Sequence, residues 1–253
     1  MSAMSRGLLF GGAAESYERF RLGYPDQVVD RTLAFAGRPV VHAIEVGAGT
    51  GKATRAFASR GVQVTALEPD PEMFGVLERE TRGMPVEPLR CDLESYGGRP
   101  TDLVYAAMSW HWTDPDRRCA IAAGLLTDGG TLAIFGGPMH VIDAAVQADV
   151  ATAVGRDLDD PAFRRPDPDL RAGPSWVDDE LRGSGLFADV QHLRIPRDVV
   201  LPQREYVGYL STLSAYLELP MEERQEVLRH VADVLPPQVT VDLSVGLHLA
   251  RRA

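Results

Sequence analysis

From residue 40 onward, short apolar runs alternate with stretches whose apolar residues recur at helical spacing, a rhythm of strand, helix and strand. Residues 40–46 read as a buried strand, 51–60 as a helix with Ala53, Ala56 and Phe57 inward, and 62–67 as a second strand. A helix over 71–81 follows, with Pro71 in the first turn, where its missing N–H is not needed. Strands at 86–91 and 103–108, a helix at 115–125 and a strand at 131–135, entered through the turn Asp128-Gly129-Gly130, bring the total to five. Strands joined by helices form a parallel sheet with right-handed crossovers, so ligands are expected at the carboxyl ends of the strands.

Beyond the fifth strand the pattern changes. Residues 141–154 read as a helix, 155–174 as a Pro-, Asp- and Arg-rich loop or lid, and 176–182 as a helix. Residues 190–195 and 239–249 alternate like strands that can pair antiparallel at one sheet edge. Between them, Tyr206, Tyr209, Leu210, Leu213 and Leu217, then Val227, Leu228, Val231 and Leu235, follow helical spacing. Two readings of 203–235 stand side by side: an insertion capping the catalytic edge, or plain packing of apolar stripes.

Composition narrows the partners. A net charge of −10 argues against a broad phosphate-binding surface, because nucleic-acid affinity rests on Lys and Arg neutralising phosphates. Lys52 is the sole lysine, and the arginines are scattered rather than clustered. Cys91 and Cys119 have neither metal-site spacing nor disulfide density, so reduced thiols, no metal and a cytoplasmic location are expected. No apolar run approaches the roughly 20 residues a bilayer span requires. A small-molecule partner fits best, with neither nucleic acid nor membrane; the oligomeric state stays open.

The chemistry gathers at the strand ends. Glu45-Val46-Gly47-Ala48-Gly49-Thr50-Gly51 closes the first strand and opens a helix, and its glycines allow a sharp turn and close ligand approach. A dinucleotide loop needs G-x-G-x-x-G, but here the third glycine, Gly51, comes one position early. A P-loop needs four residues before Gly-Lys-Ser/Thr, whereas Gly47 and Gly51 enclose three and Ala53 follows Lys52. Instead, E-x-G-x-G-x-G resembles the first motif of class I S-adenosylmethionine-dependent methyltransferases. That resemblance implies a Rossmann-like α/β fold: a seven-stranded, mostly parallel sheet with an antiparallel last strand and helical cap insertions.

The same resemblance organises the next strand ends. Glu68, before Pro69 at the end of the second strand, can accept both ribose hydroxyls, a geometry that by itself also suits NAD. Asp92 would accept from the adenine amine while Leu93 donates through its backbone; Asp92 also reads as a turn or cap residue. Ser109-Trp110-His111-Trp112 resembles the S-x-H-W segment of the small-molecule group that includes trans-aconitate methyltransferase relatives and the type 11 domain. There one tryptophan is expected beside the sulfonium and the other in packing. His111 is a candidate general base or a histidine fixing the loop by hydrogen bonds.

The segment from Phe10 to Pro25 resembles the Y-x-x-x-R-P-x-Y-P lead-in of that group, with Leu22 in place of the proline, and implies that Tyr17 and Arg21 hold the cofactor carboxylate. Ser211-Thr212-Leu213-Ser214-Ala215-Tyr216 resembles a T-x-S-x-Y segment of the cap. The expected layout is one domain: an arm at 1–38, a cofactor core at 39–137, cap insertions at 138–186 and 203–236, and the last two strands within 187–202 and 237–253. The expected activity is in-line methyl transfer from S-adenosylmethionine to a small molecule such as a secondary metabolite or organic acid. Rival readings are a cofactor-binding protein or cyclase without transfer, and a nicotinamide-dependent oxidoreductase.

Overall fold

In a computed structural model, residues 12–155 and 175–253 are described. Phe10 and most of the expected lid, residues 156–174, lie outside them. Two helices, α1 (Ala14–Phe20) and α2 (Asp26–Ala36), precede the sheet. Strands β1 (His42–Val46), β2 (Gln63–Leu67), β3 (Val86–Leu89), β4 (Thr101–Ala107) and β5 (Leu126–Gly136) alternate with helices α3 (Lys52–Ala58), α4 (Pro71–Glu80) and α5 (Arg118–Gly124). Strands β7 (Phe187–Ile195) and β10 (Val245–Arg252) complete a seven-stranded sheet of order β3-β2-β1-β4-β5-β10-β7.

The first five strands pair in parallel, and β10 is antiparallel to both neighbours, β5 and β7. Successive side chains of the central strands enter two cores, one on each face, which is why these strands read as nearly continuous apolar runs. Leu103 and Tyr105 join Phe57, Leu77 and Phe135 on one face. Val104 and Ala106 join Ile44, Trp110 and Leu132 on the other.

The structure departs from the sequence pattern in two places. The Asp128-Gly129-Gly130 signal marks an irregularity inside β5, not the turn that opens it: Leu126 opposes Thr101 and Thr131 opposes Leu103, with Gly129 at φ 66° in the extra loop of chain. More consequentially, residues 239–249 are two strands in two sheets. Strand β9 (Gln238–Asp242) lies between β6 (His140–Val141) and β8 (Asp198–Pro202) in a separate three-stranded sheet, and β10 begins three residues after β9 ends. Apolar alternation runs unbroken through Val239, Val241, Leu243, Val245, Leu247 and Leu249, so it carries no sign of the switch. The corner is fixed by polar groups. Ser244 N–H donates to Asp242 Oδ1 at 2.9 Å, and Ser244 Oγ accepts from Arg194 Nη2 at 2.7 Å.

Helices α6 (Ala144–Val154), α8 (Gln203–Leu210), α9 (Ser214–Leu217) and α10 (Met221–Val234) pack with the small sheet around Val141, Leu201, Tyr209, Val231 and Val241, while α7 (Trp176–Gly183) packs beside β7. Helix α6 starts later than the apolar pattern implies because Asp143 caps it, accepting from Ala145 and Val146 N–H groups. Of the four passages between the sheets, three, β5 to β6, β7 to β8 and β9 to β10, occur at one edge, while the fourth, β6 to β7, re-enters the main sheet at the start of β7, on the opposite edge. Since β10 runs antiparallel to β5 and β7, its start and their ends share the carboxyl edge of the parallel strands.

Candidate active site

The glycine turn leaves β1 at that edge. Gly47, Gly49 and Gly51 all have positive φ, at 64°, 58° and 87°, conformations that carry a steric cost for residues with a Cβ. A Cβ on Gly47 would lie 2.6 Å from Ser109 Cβ and one on Gly51 2.8 Å from Leu77 Cδ1, whereas one on Gly49 would meet nothing within 4 Å. Gly47 and Gly51 therefore seat the turn on its neighbours, while Gly49 opens onto free space. Ala48 and Thr50 are buried; Ala48 N–H donates to Leu67 O at 2.8 Å, locking the turn to β2.

Two buried carboxyls lie behind the turn. Glu45 is 1% exposed, and its Oε2 accepts from Thr54 Oγ1 at 2.5 Å and Tyr105 OH at 3.0 Å. Burial raises its pKa to about 8 despite those bonds. Glu45 thus braces the base of the turn from inside the core. Glu68, at the end of β2, accepts from Gly49 N–H at 2.7 Å through Oε2 and from Asp70 N–H at 2.9 Å through Oε1. Burial lifts it to about 7. Each oxygen keeps a second lone-pair direction, so the carboxylate beside the open Gly49 suits a pair of ribose hydroxyls.

Pro69 is exposed, and Asp70 caps α4 by accepting from Glu72 and Met73 N–H groups at 2.9 and 3.0 Å. That cap was legible as an Asp immediately before a helix-starting proline, yet it escaped the sequence reading. Asp92 is half-buried after β3, and its Oδ1 accepts from Ser95 N–H at 2.8 Å, the turn role weighed above. Leu93 beside it is fully buried.

After β4 the backbone passes through Met108 at φ 58°, a strained conformation for a residue with a Cβ, held by Gly137 N–H on its Sδ at 3.1 Å. Ser109 is buried, and its hydroxyl donates to Val46 O, so it clamps the glycine turn. Trp110 is the packing tryptophan: 1% exposed, with Nε1 donating to Glu180 Oε2 at 3.0 Å. Trp112 is half-buried and lies against His111, with ring centroids 4.4 Å apart. His111 stands at the surface, and no hydrogen bond holds its ring among the described residues. Surrounding protein atoms and the Arg118 cation lower its pKa, favouring the neutral, proton-accepting form.

The arm closes over the turn through contacts the sequence did not reveal. Lys52 Nζ donates to Glu18 O at 2.6 Å, and Arg55 bridges Glu18 Oε1 at 2.7 Å and Thr50 O at 3.0 Å. Arg21, expected with Tyr17 to hold the cofactor carboxylate, donates from Nε and Nη2 to Thr212 Oγ1 and O at 2.8 and 3.1 Å. Its guanidinium lies over the rings of Tyr17 and Tyr209. The arm and the Ser211–Tyr216 segment thus meet directly.

Residues 44–134 match the family described as methyltransferase domain. An uncharacterized methyltransferase of Mycobacterium tuberculosis is 29% identical over 98% of this chain and 94% of its own length, and one from Mycobacterium bovis matches equally. Among solved structures, a candidate type II methyltransferase from Anaeromyxobacter dehalogenans superposes with a TM-score of 0.66 at 22% identity, covering 92% of this chain and 98% of the other. Haemonchus contortus phosphoethanolamine N-methyltransferase 2, in complex with phosphomonomethylethanolamine and S-adenosylhomocysteine, gives 0.54 at 14% identity, covering 96% and 57%. The glycine turn, the acidic strand ends and the sheet order agree with these relatives: residues 44–134 match a methyltransferase domain, nearly the whole chain is similar to methyltransferases, and its fold is that of the class I, S-adenosylmethionine-dependent enzymes.

Proposed function

We propose that the chain methylates a small molecule held between the strand ends and the helical cap. The observation that carries this reading is topological. Both passages out of the main sheet into the second, and the return from β9 to β10, lie at the carboxyl edge, which favours a small sheet and helices standing over the strand ends. A covered edge favours an acceptor small enough to be enclosed, and the net charge of −10 disfavours a polyphosphate one. The Haemonchus neighbour, which shares the fold, binds a small phosphorylated amine.

S-adenosylmethionine, when bound, supplies an electrophilic sulfonium methyl. The residues present fit it: open space at Gly49, a buried acceptor pair at Glu68, and a free carboxylate direction on Asp92 with Leu93 beside it. Glu45, Ser109 and Ala48 keep the turn in shape, with Thr50 and Gly51 leading into α3. Glu18 ties the arm to the turn through Lys52 and Arg55, and Tyr17 and Arg21 on the same arm are the residues we assign to the cofactor carboxylate. In this reading the chain's contribution is alignment of the acceptor and exclusion of water, and His111, whose neutral form is favoured, would take a proton from an acceptor that carries one.

The direct test incubates the protein with a metabolite extract and methyl-labelled cofactor and searches for a labelled small molecule by mass spectrometry. Binding of S-adenosylhomocysteine without any labelled product would return the chain to the class of cofactor-binding proteins, and a new unlabelled product would make it a cyclase. His111→Ala should slow turnover on an acceptor that must lose a proton; an unchanged rate removes His111 from the chemistry.

A further inference from the structure

On the antiparallel side of the sheet, outside every residue assigned above to the methyl donor, three metal-type ligands converge. His248 on β10 and His192 on β7 are register partners, and their rings stack with centroids 4.2 Å apart and planes 24° from parallel. Asp178 on α7 faces both. Its Oδ1 lies 2.7 Å from His248 Nδ1 and its Oδ2 3.6 Å from His192 Nδ1. The opposite ring edges face Gly246, where a Cβ would lie 3.5 Å from His192 Nε2 and 3.9 Å from His248 Nε2. Both imidazoles therefore turn the same nitrogen toward one carboxylate.

We propose that Asp178, His192 and His248 form a binding site for a divalent transition metal of the zinc class. The three ligand atoms all lie within 4.8 Å of one another. Tetrahedral zinc, with bonds of about 2.0–2.1 Å, spaces its ligand atoms about 3.4 Å apart, and the 2.7 and 3.6 Å separations, made by the two different oxygens of Asp178, lie on either side of that value. Two imidazoles and one carboxylate suit zinc or cobalt rather than magnesium or calcium, which prefer all-oxygen shells. Ser175 Oγ, 3.4 Å from His248 Nδ1, borders the fourth position, where solvent could also coordinate.

Burial strengthens the case. Asp178 is 2% and His248 9% exposed, and an ionised carboxylate is costly to bury without a cation. His192 is half-exposed and gives an entry path. The metal would pin α7 to β7 and β10. Two residues beyond Asp178, Glu180 accepts from Trp110 Nε1 at 3.0 Å and Arg118 Nε at 2.6 Å, so α7 also supports the turn that carries His111. The role assigned to the metal is positional, and it needs no contact with the reacting atoms.

The test uses the full chain, stripped with chelator, titrated with Zn²⁺ alone by calorimetry and with Co²⁺ alone by visible absorption. The expected result is saturation at one metal per chain, with the strong visible bands of four-coordinate cobalt. His192→Gln, at a half-exposed position, should keep its near-ultraviolet circular dichroism and lose about 10- to 100-fold or more in zinc affinity. Asp178→Asn should lose as much, and a Cys91→Ser, Cys119→Ser double variant should bind like the parent. A parent chain that takes up no zinc, or a folded His192→Gln that titrates like the parent, overturns the proposal. Neither readout involves the methyl donor or acceptor, so it stands or falls apart from the proposed function.

Discussion

Glu45 and Glu68 show how burial serves different ends in two residues, one on β1 and the other just past the end of the adjacent β2. Glu45, raised to about 8 from 4.5 chiefly by desolvation, keeps a proton in the folded chain that the unfolded chain releases near its ordinary value. Its contribution to stability is therefore fully present below about pH 4.5 and is lost as pH rises through about 8. Glu45→Gln, which keeps the shape without the titration, should flatten the fall in melting temperature across that window; scanning calorimetry at a series of pH values reads this, and an unchanged slope refutes it. Glu68, at about 7, faces the open space at Gly49, where ionisation makes it a better acceptor for ribose hydroxyls. S-adenosylhomocysteine affinity should therefore rise as pH passes upward through about 7. Glu68→Ala should remove that rise and weaken binding by about 10- to 100-fold, at roughly 1.5–3 kcal/mol for hydrogen bonds to a charged group. Titration calorimetry at several pH values measures both effects.

At the scale of elements, the parallel core was legible because βαβ units bury strands on both faces and place turn glycines at their ends, so that period and punctuation agree from β1 to β5. Other features left little trace. The chain changes sheet at Ser244 without breaking period-2 alternation, and the irregularity at Gly129 uses the same residues as an ordinary turn. At the site, residue types were readable but their partners were not. Ser109 and Glu45 belong to the site's motifs yet bond to Val46 O, Thr54 and Tyr105, because motif position does not report which way a side chain turns. The glycine turn gives a paired test. Alanine at Gly47 or Gly49 carries the strain of positive φ, about 1–2 kcal/mol, but Gly47→Ala also drives its Cβ to 2.6 Å from Ser109 Cβ. Urea unfolding should show the greater destabilisation at Gly47. Gly49→Ala should remain folded and lose cofactor affinity, because its methyl enters the open cradle; full affinity would mean that the cofactor does not approach there.

Across the whole molecule, a set of polar contacts joins the glycine turn, through α1, to the segment between α8 and α9. Thr50 O is held by Arg55, Arg55 by Glu18 of α1, and Arg21, just past α1, by Thr212 between α8 and α9. The link between Arg21 and Thr212 spans 191 residues of chain, too distant for any local pattern to expose. Packing reinforces it, since Phe20 fills the space above Gly208, where a Cβ would come within 2.3 Å of its ring. A ligand that binds only the folded chain adds stability, about 2.7 kcal/mol at a concentration 100 times its dissociation constant, and these contacts direct where that stability is felt. Saturation with S-adenosylhomocysteine should slow amide hydrogen exchange first in the turn and α1, and then in residues 203–217. In Arg21→Ala the slowing in the turn and α1 should persist, because Glu18, Lys52 and Arg55 are untouched, while that in 203–217 should diminish. If residues 203–217 in Arg21→Ala are protected as fully as in the parent, the arm does not couple donor binding to that segment, and its ordering must be driven by other contacts.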